Sequence, residues 1–201
     1  MNPSRSNQLM PVILIVIIVV VSVAAIVALA RTLLFGGDDT TDQVEQPAQN
    51  ALIQTTADRS VRMTIRGALT ADEEFRSYQI TISPSSRAMT TYAGYLERQI
   101  DTVQLDNNTR AYEEFVYALN RAGMMEGEPL EGEENDRRGL CPTGKILEFE
   151  TLQNSEPVES LWTATCNGVK GSFRANSAQI SDMFLAQIPQ GPDLLRNIDV
   201  R

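Results

Sequence analysis

The fold of this chain is set by two short stretches of alternating sequence, VRMTIR at residues 61–66 and YQITI at residues 78–82. Apolar and polar side chains alternate in both, and successive side chains of a strand point to opposite faces of a sheet. The alternation therefore predicts two strands, each with one buried and one open face. Turn-forming residues at 83–86 lead into a third predicted strand at residues 87–92, and a fourth is predicted within residues 95–105.

The next segment of the chain predicts a helix. Tyr112, Phe115, Val116 and Leu119 recur at the spacing of one helical face, and Gly123 is suited to end the helix after Ala122. Residues 106–109 offer several N-caps. The run Asn107-Asn108-Thr109 also fits a glycosylation acceptor, but the capping interpretation explains the same residues and is preferred. An acidic loop is predicted at residues 123–139, with solvated carboxylates at Glu126, Glu128, Glu131, Glu133, Glu134 and Asp136.

The second half repeats the order of strands followed by a helix. Strands are predicted at residues 145–151 and 161–166, and Asn167-Gly168 predicts a hairpin turn into a further strand at residues 169–174. Asn176 or Ser177 then caps a second helix, which Pro189 ends. The pattern predicts an α+β domain at residues 60–190, with mainly antiparallel strands and two helices in two layers. Residues 191–201 are predicted to be a loose tail.

The N-terminal region predicts a membrane anchor. Residues 9–30 carry no charge, and about 20 apolar residues span a bilayer as a helix. We expect a short tail at residues 1–8, a transmembrane helix at 9–31 and a flexible tether at 32–59, which is rich in Gly, Asp, Thr and Gln. A signal peptide cleaved after Ala30 is the alternative, but its apolar region would be shorter than this one.

Two cysteines, Cys141 and Cys166, indicate the compartment. They predict one structural disulfide, which requires an oxidising environment, while two buried free thiols are the alternative. Basic residues flank the apolar segment on both sides and do not decide its orientation. The cysteines therefore favour a single-pass signal-anchor protein with a cytoplasmic N-terminus and an extracytoplasmic domain. Residues 9–30 would contact the lipid bilayer.

Charge and composition limit the function. The net charge is −9, and beyond residue 31 the chain has 15 basic against 26 acidic side chains, because Arg5 and Arg31 alone precede that point. An acidic domain repels phosphate backbones, so nucleic-acid binding is not expected. The chain has no histidine, which removes the usual base of Ser or Cys nucleophiles and the commonest zinc ligand. The acidic loop lacks the spacing of a calcium loop, so no metal or cofactor is expected.

Three functions follow as hypotheses. The first is a non-enzymatic binding or scaffolding protein of the cell envelope, with a protein or envelope polymer as its partner. The second is a small extracytoplasmic enzyme using carboxylates and arginines, and the third is an accessory subunit of a membrane complex. Four aromatic residues could line a recognition surface, although packing in the core or on the sheet is the preferred interpretation; they are Tyr78, Tyr92, Tyr95 and Trp162.

Overall fold

The computed structural model of the protein describes residues 47–198 and Val200. The predicted transmembrane helix at residues 9–31, the short tail before it and the first part of the tether lie outside the described residues. Between residues 47 and 198, no helix is both long enough and apolar enough to cross a bilayer.

The described chain forms an antiparallel six-stranded sheet in the order β4-β3-β2-β1-β5-β6. The strands are β1 (Arg59–Arg66), β2 (Arg76–Ile82), β3 (Ser86–Ala93), β4 (Arg98–Asp106), β5 (Ile146–Gln153) and β6 (Glu156–Ala164). In the central strand β1, Met63 lies opposite Ile80 of β2 and Phe149 of β5. These three side chains are fully buried, which confirms the predicted alternation in the first two strands.

Helices cover one face of the sheet. They are α1 (Pro47–Leu52), α2 (Thr109–Arg121), α3 (Ser177–Ala186) and α4 (Gly191–Asn197), with a short 3₁₀ turn at Gly132–Asn135. The side-chain oxygen of Asn108 accepts a 2.9 Å hydrogen bond from the Ala111 N–H, so the predicted capping role is confirmed. The predicted face of α2 is buried against the sheet, where Phe115 meets Phe184 of α3 edge to face. The α+β fold with mainly antiparallel strands is therefore as predicted.

The predicted hairpin at Asn167-Gly168 is wrong. Of those two residues only Gly168 has a positive φ, +83°, whereas the type I′ turn that Asn-Gly favours requires positive φ at both central positions. That requirement is met between β5 and β6, where Asn154 and Ser155 have φ of +51° and +70°. Residues 169–174 do not form the predicted strand, and Phe173 makes an isolated bridge with Gly127 instead.

The folded domain extends beyond the predicted limits of 60 and 190 at both ends. Leu52 of α1 is 1 % exposed, although residues 32–59 were expected to be a tether. Leu194 and Ile198 are 5 % and 3 % exposed, although residues 191–201 were expected to be a loose tail. These segments are too short to show a helical repeat of apolar residues, so the sequence did not predict them. Each nevertheless buries one or two apolar side chains in the core, and this burial stabilises its ordered conformation. In addition to the two predicted helices, the described residues form α1 and α4.

Candidate functional site

The sheet face opposite the helices carries polar side chains. On β1, the residues that alternate with the buried Met63 and Ile65 are Arg62, Thr64 and Arg66. Strand register continues this face across β2, β3 and β4 in one row of neutral polar residues, namely Thr64, Gln79, Thr90 and Thr102. Hydrogen bonds link two pairs within the row, at 3.3 Å from the Gln79 amide to the Thr64 hydroxyl and 3.0 Å between the two hydroxyls of Thr90 and Thr102.

A loop formed by residues 128–145 contacts this same face over β5 and β6. The indole N–H of Trp162 donates a 2.9 Å hydrogen bond to the side-chain oxygen of Asn135. Arg137 forms an ion pair with Glu148 of β5. The Cys141–Cys166 disulfide joins the end of the loop to the segment that follows β6, and its two Cα atoms are 5.5 Å apart. We call residues 128–145 the cover loop. It forms one wall of a cleft on this face.

The start of the predicted acidic loop places two methionines in the core. Met124 and Met125 are buried in the core, at 0 % and 1 % exposure. Gly127 approaches the backbone of Ser172 so closely that a Cβ atom would lie 2.1 Å from the Ser172 carbonyl oxygen. The predicted carboxylates are solvated, since Glu126, Glu128, Glu131, Glu133 and Glu134 are all exposed, and Asp136 is partly buried.

A buried ion pair joins β1 to β5 on the same face of the sheet. The Arg62 guanidinium Nε donates to the Glu150 carboxylate over 2.6 Å, and the Glu150 side chain is only 7 % exposed. Burial by itself lowers the pKa of Arg62, but the hydrogen bond and charge of Glu150 outweigh it, so the pKa is raised. The neighbouring Glu148 accepts a 3.0 Å hydrogen bond from the Ser160 hydroxyl. Both carboxylates are therefore engaged by groups of the sheet or the cover loop.

Between the cover loop and the β1–β2 connection lies a cleft of about 370 Å³. Its apolar lining comes from distant parts of the chain and comprises Leu69, Phe75, Tyr95, Leu140 and Ile146. Its charged lining comprises Arg66, Arg137, Arg138, Asp136 and Glu148, a formal charge of +1. The cleft thus combines apolar surface with three guanidinium groups on a chain whose net charge is −9.

Tyr95 forms a rigid aromatic wall of the cleft. Its ring stacks on Phe75 with the ring centroids 4.1 Å apart and the planes 20° apart. Its hydroxyl donates a 2.8 Å hydrogen bond to the Thr70 carbonyl oxygen and accepts one of 3.2 Å from the Thr70 N–H. The Tyr95 N–H donates to the Asp72 carboxylate over 2.8 Å. Although it is held in this way, the residue is still 47 % exposed.

Two arginines of the cleft are held only by exposed carboxylates. Arg66 pairs with Glu97 at 2.9 Å, and about half of each side chain is exposed. The Arg138 guanidinium contacts both carboxylate oxygens of Asp136, and these hydrogen bonds lower the pKa of Asp136 from 3.8 to about 2. Ion pairs exposed to water are weak, so an incoming anion can replace the partner carboxylate.

The sequence anticipated one part of this site. Cys141 and Cys166 form the predicted disulfide, and Cys141 lines the cleft. Of the four aromatic residues, Trp162 and Tyr78 are buried as preferred, whereas Tyr95 is exposed in the cleft. In the part of the chain that the structure describes, no group of three or more Cys, Asp and Glu side chains could hold a metal ion.

The arginines were missed, although a signal for them is present. Arg62 and Arg66 alternate with Met63 and Ile65 on β1, so the sequence places both arginines on the strand's open face. Two arginines on one open face, in a chain with 26 acidic residues, indicate a surface for anions.

The comparisons with known proteins do not add a relative. No protein-family model matches the chain, and no curated protein sequence matches it.

Proposed function

We propose that the protein is a membrane-anchored binding or scaffolding protein of the cell envelope and that its ligand occupies the cleft between the cover loop and Tyr95. The observation that carries the proposal is the cleft itself. It combines an exposed aromatic ring with two arginines, Arg66 and Arg138, whose partner carboxylates a ligand anion can displace. Pockets with a mostly apolar lining and a few convergent polar groups are typical of ligand sites.

The disulfide supports the envelope location. The bond between Cys141 and Cys166 indicates an oxidising compartment, because reducing systems keep such pairs open in the cytosol. The uncharged segment at residues 9–30 supports a membrane anchor. Together they favour a domain displayed on the extracytoplasmic side of a membrane.

Binding is favoured over catalysis by the state of the carboxylates. A general acid or base needs a free carboxylate within reach of the substrate. The two carboxylates lining the cleft are both paired, Glu148 with Arg137 and Ser160 and Asp136 with Arg138. Glu150 is buried against Arg62. These groups hold the sheet and the cover loop together, which suits a preformed binding surface.

Site-specific photocrosslinking in intact cells tests the proposal. A photoreactive phenylalanine analogue replaces Tyr95 in the cleft or, as a matched control, Tyr117, which is similarly exposed, at 49 %, on α2. We expect an adduct with one envelope component from position 95 and no such adduct from position 117. Equal adducts from both positions, or none from either, would contradict a ligand in this cleft.

A further inference from the structure

We propose that the ligand of the cleft, and of the adjoining sheet face opposite the helices, is an acidic glycan. Its carboxylates contact Arg66 and Arg138, and one of its sugar rings contacts Tyr95. This inference rests on the proposed binding function and gives its ligand a chemical class. It uses the cleft together with the neighbouring polar row of Thr64, Gln79, Thr90 and Thr102.

Charge complementarity favours an acidic ligand. Arg66 of β1 and Arg137 and Arg138 of the cover loop line the cleft, and they outnumber its two carboxylates, Asp136 and Glu148. A planar guanidinium group matches a carboxylate with two parallel hydrogen bonds. Arg66 and Arg138 already hold carboxylates, those of Glu97 and Asp136, so a ligand carboxylate can take over the same geometry.

The neutral groups of the face favour a hydroxyl-rich ligand. Hydroxyl and amide side chains can both donate and accept hydrogen bonds, as sugar hydroxyls do. Their row runs across four strands, approximately perpendicular to the strand direction. Since adjacent strands lie about 4.8 Å apart, the row presents a polar group at regular intervals to an extended chain.

The backbone of the sheet argues against a peptide. Extended peptides gain affinity by adding their main chain to a sheet edge. The central strands β1, β2 and β3 are paired on both sides, so their backbone groups are already satisfied. These strands therefore offer a ligand their side chains and not free backbone groups, which suits a saccharide better than a polypeptide.

Tyr95 supplies an aromatic surface for a sugar ring. Its ring is fixed by Phe75 and Thr70, the residue is 47 % exposed, and it lines the same cleft as Arg66. An immobilised ring binds an apolar ligand face without losing side-chain freedom. The faces of sugar rings carry C–H groups that can make this contact.

The test measures binding of three polymers to the full-length chain, purified in mild detergent, by biolayer interferometry. Polygalacturonate carries sugar rings and carboxylates, its fully methyl-esterified form lacks the charge, and poly-L-glutamate carries carboxylates on a peptide. We expect polygalacturonate to bind about ten-fold more tightly than the methyl ester, because loss of one charged hydrogen-bonding group typically costs that much. We also expect it to bind more tightly than poly-L-glutamate, which has no sugar ring for Tyr95.

Variants locate the site. Arg66→Gln together with Arg138→Gln should weaken polygalacturonate binding by about ten-fold or more. Arg110→Gln is the control, because Arg110 is an exposed, ion-paired arginine on α2. Tyr95→Ala should weaken binding and Tyr117→Ala should not, and the thermal midpoint of each variant shows that it is folded.

Other outcomes overturn the inference. Equal binding of poly-L-glutamate would overturn the glycan, and equal binding of the methyl ester would overturn the role of the arginines. Absence of binding to all three polymers would overturn the ligand class. A protein adduct from position 95 in cells would then still support the proposed function, so the two failures are distinguishable.

Discussion

Trp162 is tied to Asn135 by a 2.9 Å hydrogen bond from the indole N–H to the side-chain oxygen, and this bond joins the cover loop to β6. Trp162 is 1 % exposed and is the single tryptophan of the chain. Its fluorescence therefore reports on the position of the cover loop.

Asn135→Ala should leave the buried indole N–H without its partner. We expect a loss of about 1–2 kcal/mol in the free energy of unfolding and a red shift of Trp162 emission in the native state. Chemical denaturation followed by fluorescence measures both. Glu134→Ala is the control, because Glu134 is an exposed neighbour, and an equal loss there would show that the hydrogen bond is unimportant.

Glu150→Ala should leave the buried Arg62 guanidinium without its ion-pair partner. Removing one partner of a buried ion pair typically costs about 3–5 kcal/mol, and we expect the lower end because the Arg62 side chain is 22 % exposed. A double-mutant cycle with Arg62→Met measures the coupling. If the double variant is no more stable than Glu150→Ala alone, the stranded charge is not the cause.

Replacing Cys141 and Cys166 by alanine should release the cover loop. The cysteines are 25 positions apart, and closing such a loop is worth about 3 kcal/mol in the chain-entropy model. We expect a lower thermal midpoint and weaker ligand binding, because Cys141 lines the cleft. The wild-type chain under reducing conditions should behave like the variant, and unchanged stability in both would contradict a structural role.

Asp136 should titrate unusually low. Its pKa is about 2 instead of 3.8, and the main cause is the hydrogen bond from Arg138. A lowered carboxyl pKa in the folded state means that this contact stabilises the fold fully above pH 3.8 and loses that contribution as pH falls towards 2. NMR of the carboxyl carbon measures the pKa. Arg138→Gln should raise it towards 3.8, and Arg137→Gln should change it less, since Arg137 acts only through its charge.

The proposed location can be checked on intact cells with a membrane-impermeant maleimide. If the domain is extracytoplasmic, Cys141 and Cys166 should label only after an impermeant reductant has opened their disulfide. Lysed, denatured cells provide the control for total thiols. Labelling that appears only after lysis and needs no reductant would place the domain in the cytoplasm.

Most of the sheet was predictable because its signals are local. Alternation at residues 61–66 and 78–82 fixes which side chains enter the core, and a shift of one residue would expose all of them. The Asn108 cap and the buried face of α2 are likewise predictable, because each depends on residues no more than a few helical turns apart. The hairpin at Asn167-Gly168 failed because composition permits a turn without requiring its φ angles, which neighbouring contacts decide.

The sequence by itself determined the α+β class, the apolar segment at residues 9–30 and, from two cysteines, the sole pairing available to an intramolecular disulfide. The tertiary structure alone decided the cleft, because Arg66, Tyr95 and Arg138 lie far apart in the chain and meet only when strands pair and the cover loop folds over β5. Charge and aromatic character can be read from single residues, but their convergence depends on long-range pairing, which no local pattern encodes.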